Sequence, residues 1–104
     1  LNQISKTKIS SHTIAIDGQG EEVCLRVMTG HELAAFLNYD GDDFRRGIYS
    51  IALSLCDDQG ARLYADDELD ELLKLPSAVL QNIGELVRKL NGIDDEAIED
   101  AAKN

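Results

Sequence analysis

The stretch SLCDDQGARLYADDELDELL, residues 54–73, sets seven carboxylates among twenty positions. Carboxylates at that density around a glycine are the raw material of a calcium loop. Such a loop needs oxygen ligands at positions 1, 3 and 5, a glycine at 6 and a bidentate acid at 12. With Gly60 at position 6, position 1 becomes Leu55, which has no oxygen to offer. With Asp57 at position 1, positions 5 and 6 become Ala61 and Arg62. Neither register works, and an irregular site on Asp57, Asp58 and Asp66 is the metal alternative that remains. The loops DGQGEE and DGDD also carry oxygens that magnesium or calcium tolerates, but Asp and Gly are turn residues in their own right.

Other chemistries lack their spacing. His12 and His31 share no HExxH-type arrangement. Cys24 and Cys56 belong to no CxxC pair and have no histidine at zinc spacing, so they read as two reduced thiols acting as small apolar residues. A disulfide between them stays open, because sequence separation says nothing about distance. A nucleophilic site would have to bring His12 or His31 to Cys24 or Cys56 with a carboxylate in one concave pocket. The phosphate-binding patterns GxGxxG and GxxxxGK[ST] are absent. The expectation is a non-enzyme with no catalytic, cofactor or metal residues.

Most of these carboxylates fall where helices begin. Asp66 is read as an N-cap with Asp67 and Glu68 in the first turn, and Asp94 as another with Asp95 and Glu96 behind it. Ile93 and Ile98 would staple that last helix. Leu69, Leu72 and Leu73 give the helix after Asp66 its apolar face, and Lys74 suits its C-terminal end. Upstream, residues 1–11 read as a loose arm or the start of an edge strand. HTIAI and EEVCLRV form a β-hairpin across Asp17–Gly20, with Val23, Leu25 and Val27 on one face. MTGHEL opens a helix by three local devices: Thr29 as cap, Glu32 closing the capping box, and a staple from Met28 to Leu33. That helix runs through HELAAFLNY to the DGDD loop. The next covers DFRRGIYSIALSLC, capped by Asp42 or Asp43. Phe44, Ile48, Ile51 and Leu55 lie on one face, and its upper half is apolar nearly all round, as a central buried helix would be. Asp57–Gly60 is a turn and ARLY a short extended segment. Pro76 opens a further helix at its first position. Val79, Ile83, Leu86 and Leu90 make its stripe, widened by Leu80 and Val87. Arg88 and Lys89 sit in its last turn, and Asn91-Gly92 ends it.

The predicted fold is therefore α+β and mainly α, one domain over 1–104. A hairpin at 12–28 precedes four or five helices at 29–104 around one core. Apolar residues at 43% suit a globular chain. No run is long enough to span a membrane, and LNQISKTKISSH lacks the apolar stretch of a signal peptide, so the sequence predicts a soluble protein that is not exported. The chain opens on Leu1 rather than Met, which suggests that the native first residue is missing. The net charge of −10 is concentrated in residues 57–71 and 94–104. It argues against nucleic-acid binding, which needs a basic face, and for basic partners or plain solubility. An acidic inhibitor or DNA mimic that blocks a basic host protein is the alternative function. It would need its acids in a phosphate-like double row rather than at helix starts. The five aromatics, Phe36, Tyr39, Phe44, Tyr49 and Tyr64, read as core, with those flanking 40–43 as the candidates for partner contact.

The segment IALSLCDDQGARLYADDELDELLKLPSAVLQNIGELVRKLNGI resembles tail assembly chaperones of long-tailed, siphovirus-type bacteriophages. In that family an apolar helix ends in a polar-acidic turn with Gly. A large apolar pair follows, then an acidic helix, then a long amphipathic helix ending in Asn-Gly. Ser54, Leu55, Asp57, Gly60, Leu63, Tyr64, Leu72, Leu86, Leu90, Asn91 and Gly92 occupy the matching places, and the trailing acidic helix with Lys103-Asn104 is similar too. The resemblance covers about residues 48–104. It implies a chaperone made in the host bacterial cytoplasm and absent from the mature virion. Its implied partners are the helical tape measure protein and the tail-tube protein, with self-association, no nucleic acid and no membrane. It also implies a longer product made by ribosomal frameshifting.

Overall fold

The computed structural model describes residues 9–16 and 18–93. Strand β1, Ile9–Ile16, pairs antiparallel with β2, Gln19–Arg26, in a register that sets Ile16 opposite Gln19. The hairpin is tighter than DGQG suggests, because Gln19 and Gly20 are already strand. Residues 9–11 are also strand, so this part of the expected arm is the start of an edge strand. Residues 1–8, and the expected helix after Asp94, lie outside the described residues. The alternation sorts the faces as strand geometry requires: Ile14 and Leu25 go into the core, while Thr13 and Glu22 are exposed.

Helix α1, Gly30–Leu37, starts as its local signals dictate. Thr29 Oγ1 accepts from the Glu32 N–H at 3.2 Å, and the Glu32 carboxylate accepts from the Thr29 N–H at 3.0 Å. Thr29→Ala removes one half of this box and is expected to cost about 1 kcal/mol, a fall of roughly 4–8 °C in melting temperature. The helix stops at Asn38, whose side-chain amide donates to the Ala34 carbonyl, before reaching Tyr39.

Helix α2, Asp43–Ser54, is the centre of the molecule. Asp42 caps it by accepting from the Arg45 N–H, and residues 48–54 are all buried. Two expectations fail at its ends. Phe44, placed by spacing on the core face, is 64% exposed, because at its position the neighbouring long helix leaves a groove instead of a covering side chain. Leu55-Cys56 is not a last helical turn. It is a short strand, β3, that joins the hairpin in a three-stranded sheet of order β1-β2-β3, with Cys24 opposite Cys56 and Leu25 opposite Leu55.

The chain then turns over residues 57–61, where Asp57 Oδ1 accepts from the N–H groups of both Gln59 and Ala61. ARLY is extended only to the extent of one bridge, Arg62 to Cys56. A 3-10 turn at Asp66–Glu68 leads into the single turn α3, Leu69–Leu72. Ala65 rather than Asp66 is the cap residue, and it is the Glu68 carboxylate that accepts the Ala65 N–H. Leu69 and Leu72 are buried and Leu73 partly so, as their spacing predicts. Lys74 lies beyond the helix end and pairs with Glu71.

Helix α4, Ser77–Asn91, has Pro76 as cap residue rather than first helical residue. Val79, Leu80, Ile83 and Val87 are buried, and Leu86 and Leu90 pack at the margin of the core. Gly92 ends the helix at φ 65°, a left-handed conformation that costs glycine nothing, and the Ile93 N–H returns to the Arg88 carbonyl. Asn91 does more than end a helix. Its amide donates to the Val87 carbonyl, and its Oδ1 accepts from the Met28 N–H at 2.7 Å, tying α4 to the junction of β2 and α1.

The described fold is thus a small α+β domain: an N-terminal hairpin extended to three strands, with four α-helices around one core.

Candidate partner-binding groove

Helices α2 and α4 pack against each other and leave between them a groove of about 530 Å3. Its α2 wall is Asp43, Phe44, Gly47, Ile48 and Ser50. Its α4 wall is Ser77, Leu80, Gln81, Gly84, Glu85 and Arg88. Both sets follow helical spacing, so each wall is one stripe of its helix. The apolar part comes from Phe44, Ile48 and Leu80, and the acids, Gln81 and Arg88 give it a polar edge. A concave, mostly apolar trough with polar margins suits a bound helix or peptide.

The two glycines explain why the groove is recessed. Gly47 and Gly84 lie within helices and have no positive φ, so backbone conformation does not call for glycine at either place. A Cβ at Gly47 would meet nothing within 4 Å, and one at Gly84 would touch only Ile51 Cδ1 at an ordinary 3.8 Å. Gly41 differs, since a Cβ there would fall 2.5 Å from the Tyr39 ring. Glycine inside a helix costs about 1 kcal/mol relative to alanine. The chain therefore carries two such costs, one on each wall of the same groove, with no steric need for either among the described residues. A backbone bare of side chains allows another helix to approach closely.

Phe44 adds to this site. Alone among the five aromatics it turns outward: Phe36 and Tyr49 are buried, and Tyr39 and Tyr64 pack against the core. An exposed aromatic at the lip of an apolar trough is a natural anchor for a partner. The sequence signal was present, since Phe44 flanks the 40–43 loop, but its regular spacing to Ile48 outweighed it.

Five of the seven acids of the 54–73 stretch, Asp57, Asp66, Glu68, Asp70 and Glu71, bond to groups of this chain. Asp57 holds its turn. Asp66 accepts from Arg62 Nη2 at 2.8 Å and from the Tyr49 hydroxyl at 3.4 Å, and Asp70 lies 3.8 Å from Arg45. Among the described residues, no group of three or more His, Cys, Asp or Glu side chains converges where an ion would sit. The irregular site on Asp57, Asp58 and Asp66 does not assemble. His12, opposite Val23 in the hairpin, shares a hydrogen bond with Ser10, and neither histidine nor cysteine lines the groove.

Tyr49 stacks on Tyr39 at 4.8 Å between ring centres. Burial, then the neighbouring Asp66 charge, pushes its hydroxyl above the ordinary value of 10.0. Between that value and the raised one, the unfolded chain has lost a proton that the folded chain keeps, so stability falls as pH rises through this window. Tyr49→Phe should remove this part of the alkaline loss. In urea melts from pH 8 to 11 the native chain should therefore lose stability that the Tyr49→Phe chain keeps, so the difference between the two midpoints should shift in the variant's favour as pH rises.

No helix among the described residues is long and apolar enough to cross a membrane. In comparisons with known proteins, no family model, no curated protein and no solved structure matches this chain.

Proposed function

We propose that this protein is a non-catalytic assembly chaperone of bacteriophage tails. It would bind helical segments of the tape measure protein in the groove between α2 and α4 while tail-tube subunits assemble around that rod. It would act in the host cytoplasm and stay out of the finished virion. The observation that carries the reading is the pair of helix glycines, Gly47 and Gly84, on facing walls of an apolar trough whose lip is the exposed Phe44. A chaperone for an aggregation-prone helical rod needs such a trough for an apolar stripe. It also needs a strongly charged surface that keeps the complex in solution, and a net charge of −10 supplies that.

The acidic-mimic alternative draws less support. Asp43, Asp66, Asp70, Glu71 and Glu85 each lie beside a base of this same chain rather than forming a free double row.

Co-expression with the tape measure protein tests the proposal. The native chain should bring that protein into the soluble fraction and co-purify with it. Phe44→Ala should weaken the complex while leaving thermal stability within about 0.5 kcal/mol of the native chain, as for an exposed position. A tape measure protein that stays insoluble and unbound beside the folded native chain ends this reading.

A further inference from the structure

The two cysteines, far apart in sequence, are cross-strand neighbours. Cys24 of β2 sits directly opposite Cys56 of β3, and both are free thiols. Directly opposed residues of an antiparallel pair project to the same face, with Cα atoms about 4.5–5.5 Å apart. That lies within the roughly 4.4–6.8 Å window a disulfide spans. The setting of the two sulfurs differs. Cys56 is 2% exposed and Cys24 half-buried. Burial, and then the neighbouring Cys24, keep the Cys56 thiol protonated above its ordinary range. Cys24 is therefore the sulfur that meets a solute, and Cys56 the one that follows.

We propose that Cys24 and Cys56 are a reversible redox pair, and that their disulfide locks β3 onto β2 when a low-molecular-weight disulfide oxidises it. The steps balance. The Cys24 thiolate attacks one sulfur of the small disulfide, forming a mixed disulfide and releasing one small thiolate, which takes up a proton. Cys56 loses its proton to solvent and as thiolate attacks Cys24 Sγ, expelling the second small thiolate, which takes up a proton. Two protein thiols are oxidised, and one small disulfide is reduced to two thiols.

The consequence follows from where the pair sits. β3 is only two residues long, yet it anchors the exit of the buried helix α2 to the sheet. The chain between the two sulfurs carries both α1 and α2, so their bond closes a loop around the centre of the core. Loop closure restricts the unfolded chain and raises stability.

The full chain, equilibrated in buffers of varied reduced-to-oxidised glutathione ratio, provides the test. Intact mass and alkylation should show both thiols lost within one chain, with no glutathione retained. The oxidised form should melt roughly 8–30 °C above the reduced form. Cys24→Ser should show neither the loss of Cys56 nor the rise. The proposal is overturned by a Cys24–glutathione adduct that never resolves, by disulfides only between chains, or by an internal disulfide that leaves the melting temperature unchanged.

Discussion

Replacing Gly47 and Gly84 together by alanine is expected to make the protein more stable and less able to hold its partner. Each substitution removes the cost of a glycine inside a helix, about 1 kcal/mol. Neither new methyl meets an obstacle among the described residues. The two sites lie on different helices, so the gains should add. The sum is roughly 2 kcal/mol, or a rise of about 8–16 °C in melting temperature. The same methyls stand in the groove and hold an incoming helix away from both walls. Capture of the tape measure protein should fall at least about tenfold, a loss of roughly 1.4 kcal/mol of binding. Differential scanning calorimetry and pull-down of the co-expressed pair give the two numbers. A double variant that is more stable and binds equally well would mean that the partner contacts some other surface.

Leu72→Ala should destabilise the protein by about 2–5 kcal/mol, the range for a large side chain deleted from a closed core. Leu72 is fully buried in α3, a helix of one turn that cannot persist on its own hydrogen bonds. Only Leu69 and Leu72 bury themselves from it, so the methyl that alanine leaves cannot hold the turn in place. For a domain of this size the loss is a large part of the whole stability. Urea denaturation should show a much lower midpoint. The 3-10 turn and the Asp66 contacts with Arg62 and Tyr49 should loosen with it, which amide exchange would report. A cost under about 1 kcal/mol would show that α3 is not anchored through this side chain.

The parts of the fold that are legible in the sequence rest on neighbours in the chain. The capping box at Thr29 and Glu32, the Asp42 cap, the Gly92 terminator and the stripe from Val79 to Val87 each need only a few consecutive residues and a helix period. The misreadings share one cause. Periodicity says that Phe44 lies on the same face as Ile48 and Ile51, but it cannot say how far the covering layer extends. Leu55 continues the helical spacing equally well, yet its backbone leaves the helix because β2 offers a strand to pair with. Asp66 looks like a cap by type and position, but the Arg62 guanidinium and the Tyr49 hydroxyl occupy its carboxylate instead.

The sequence by itself determined that this chain forms a hairpin and a set of amphipathic helices, and that Thr29, Glu32, Asp42 and Gly92 stand at helix ends. Hydrogen-bonding reach and side-chain period are local quantities, so they can be read along the chain. The tertiary structure alone decided how α2 ends. Its last turn contains no basic residue, so two guanidiniums from elsewhere serve its final carbonyls: Arg26 Nε donates to Leu53 at 3.2 Å and Arg62 Nε to Ala52 at 3.0 Å. Packing alone brought Cys24 to Cys56 and set Gly47 and Gly84 across a common groove. Those relations depend on how elements distant in sequence come together to bury their apolar faces, and no interval counted along the chain measures that.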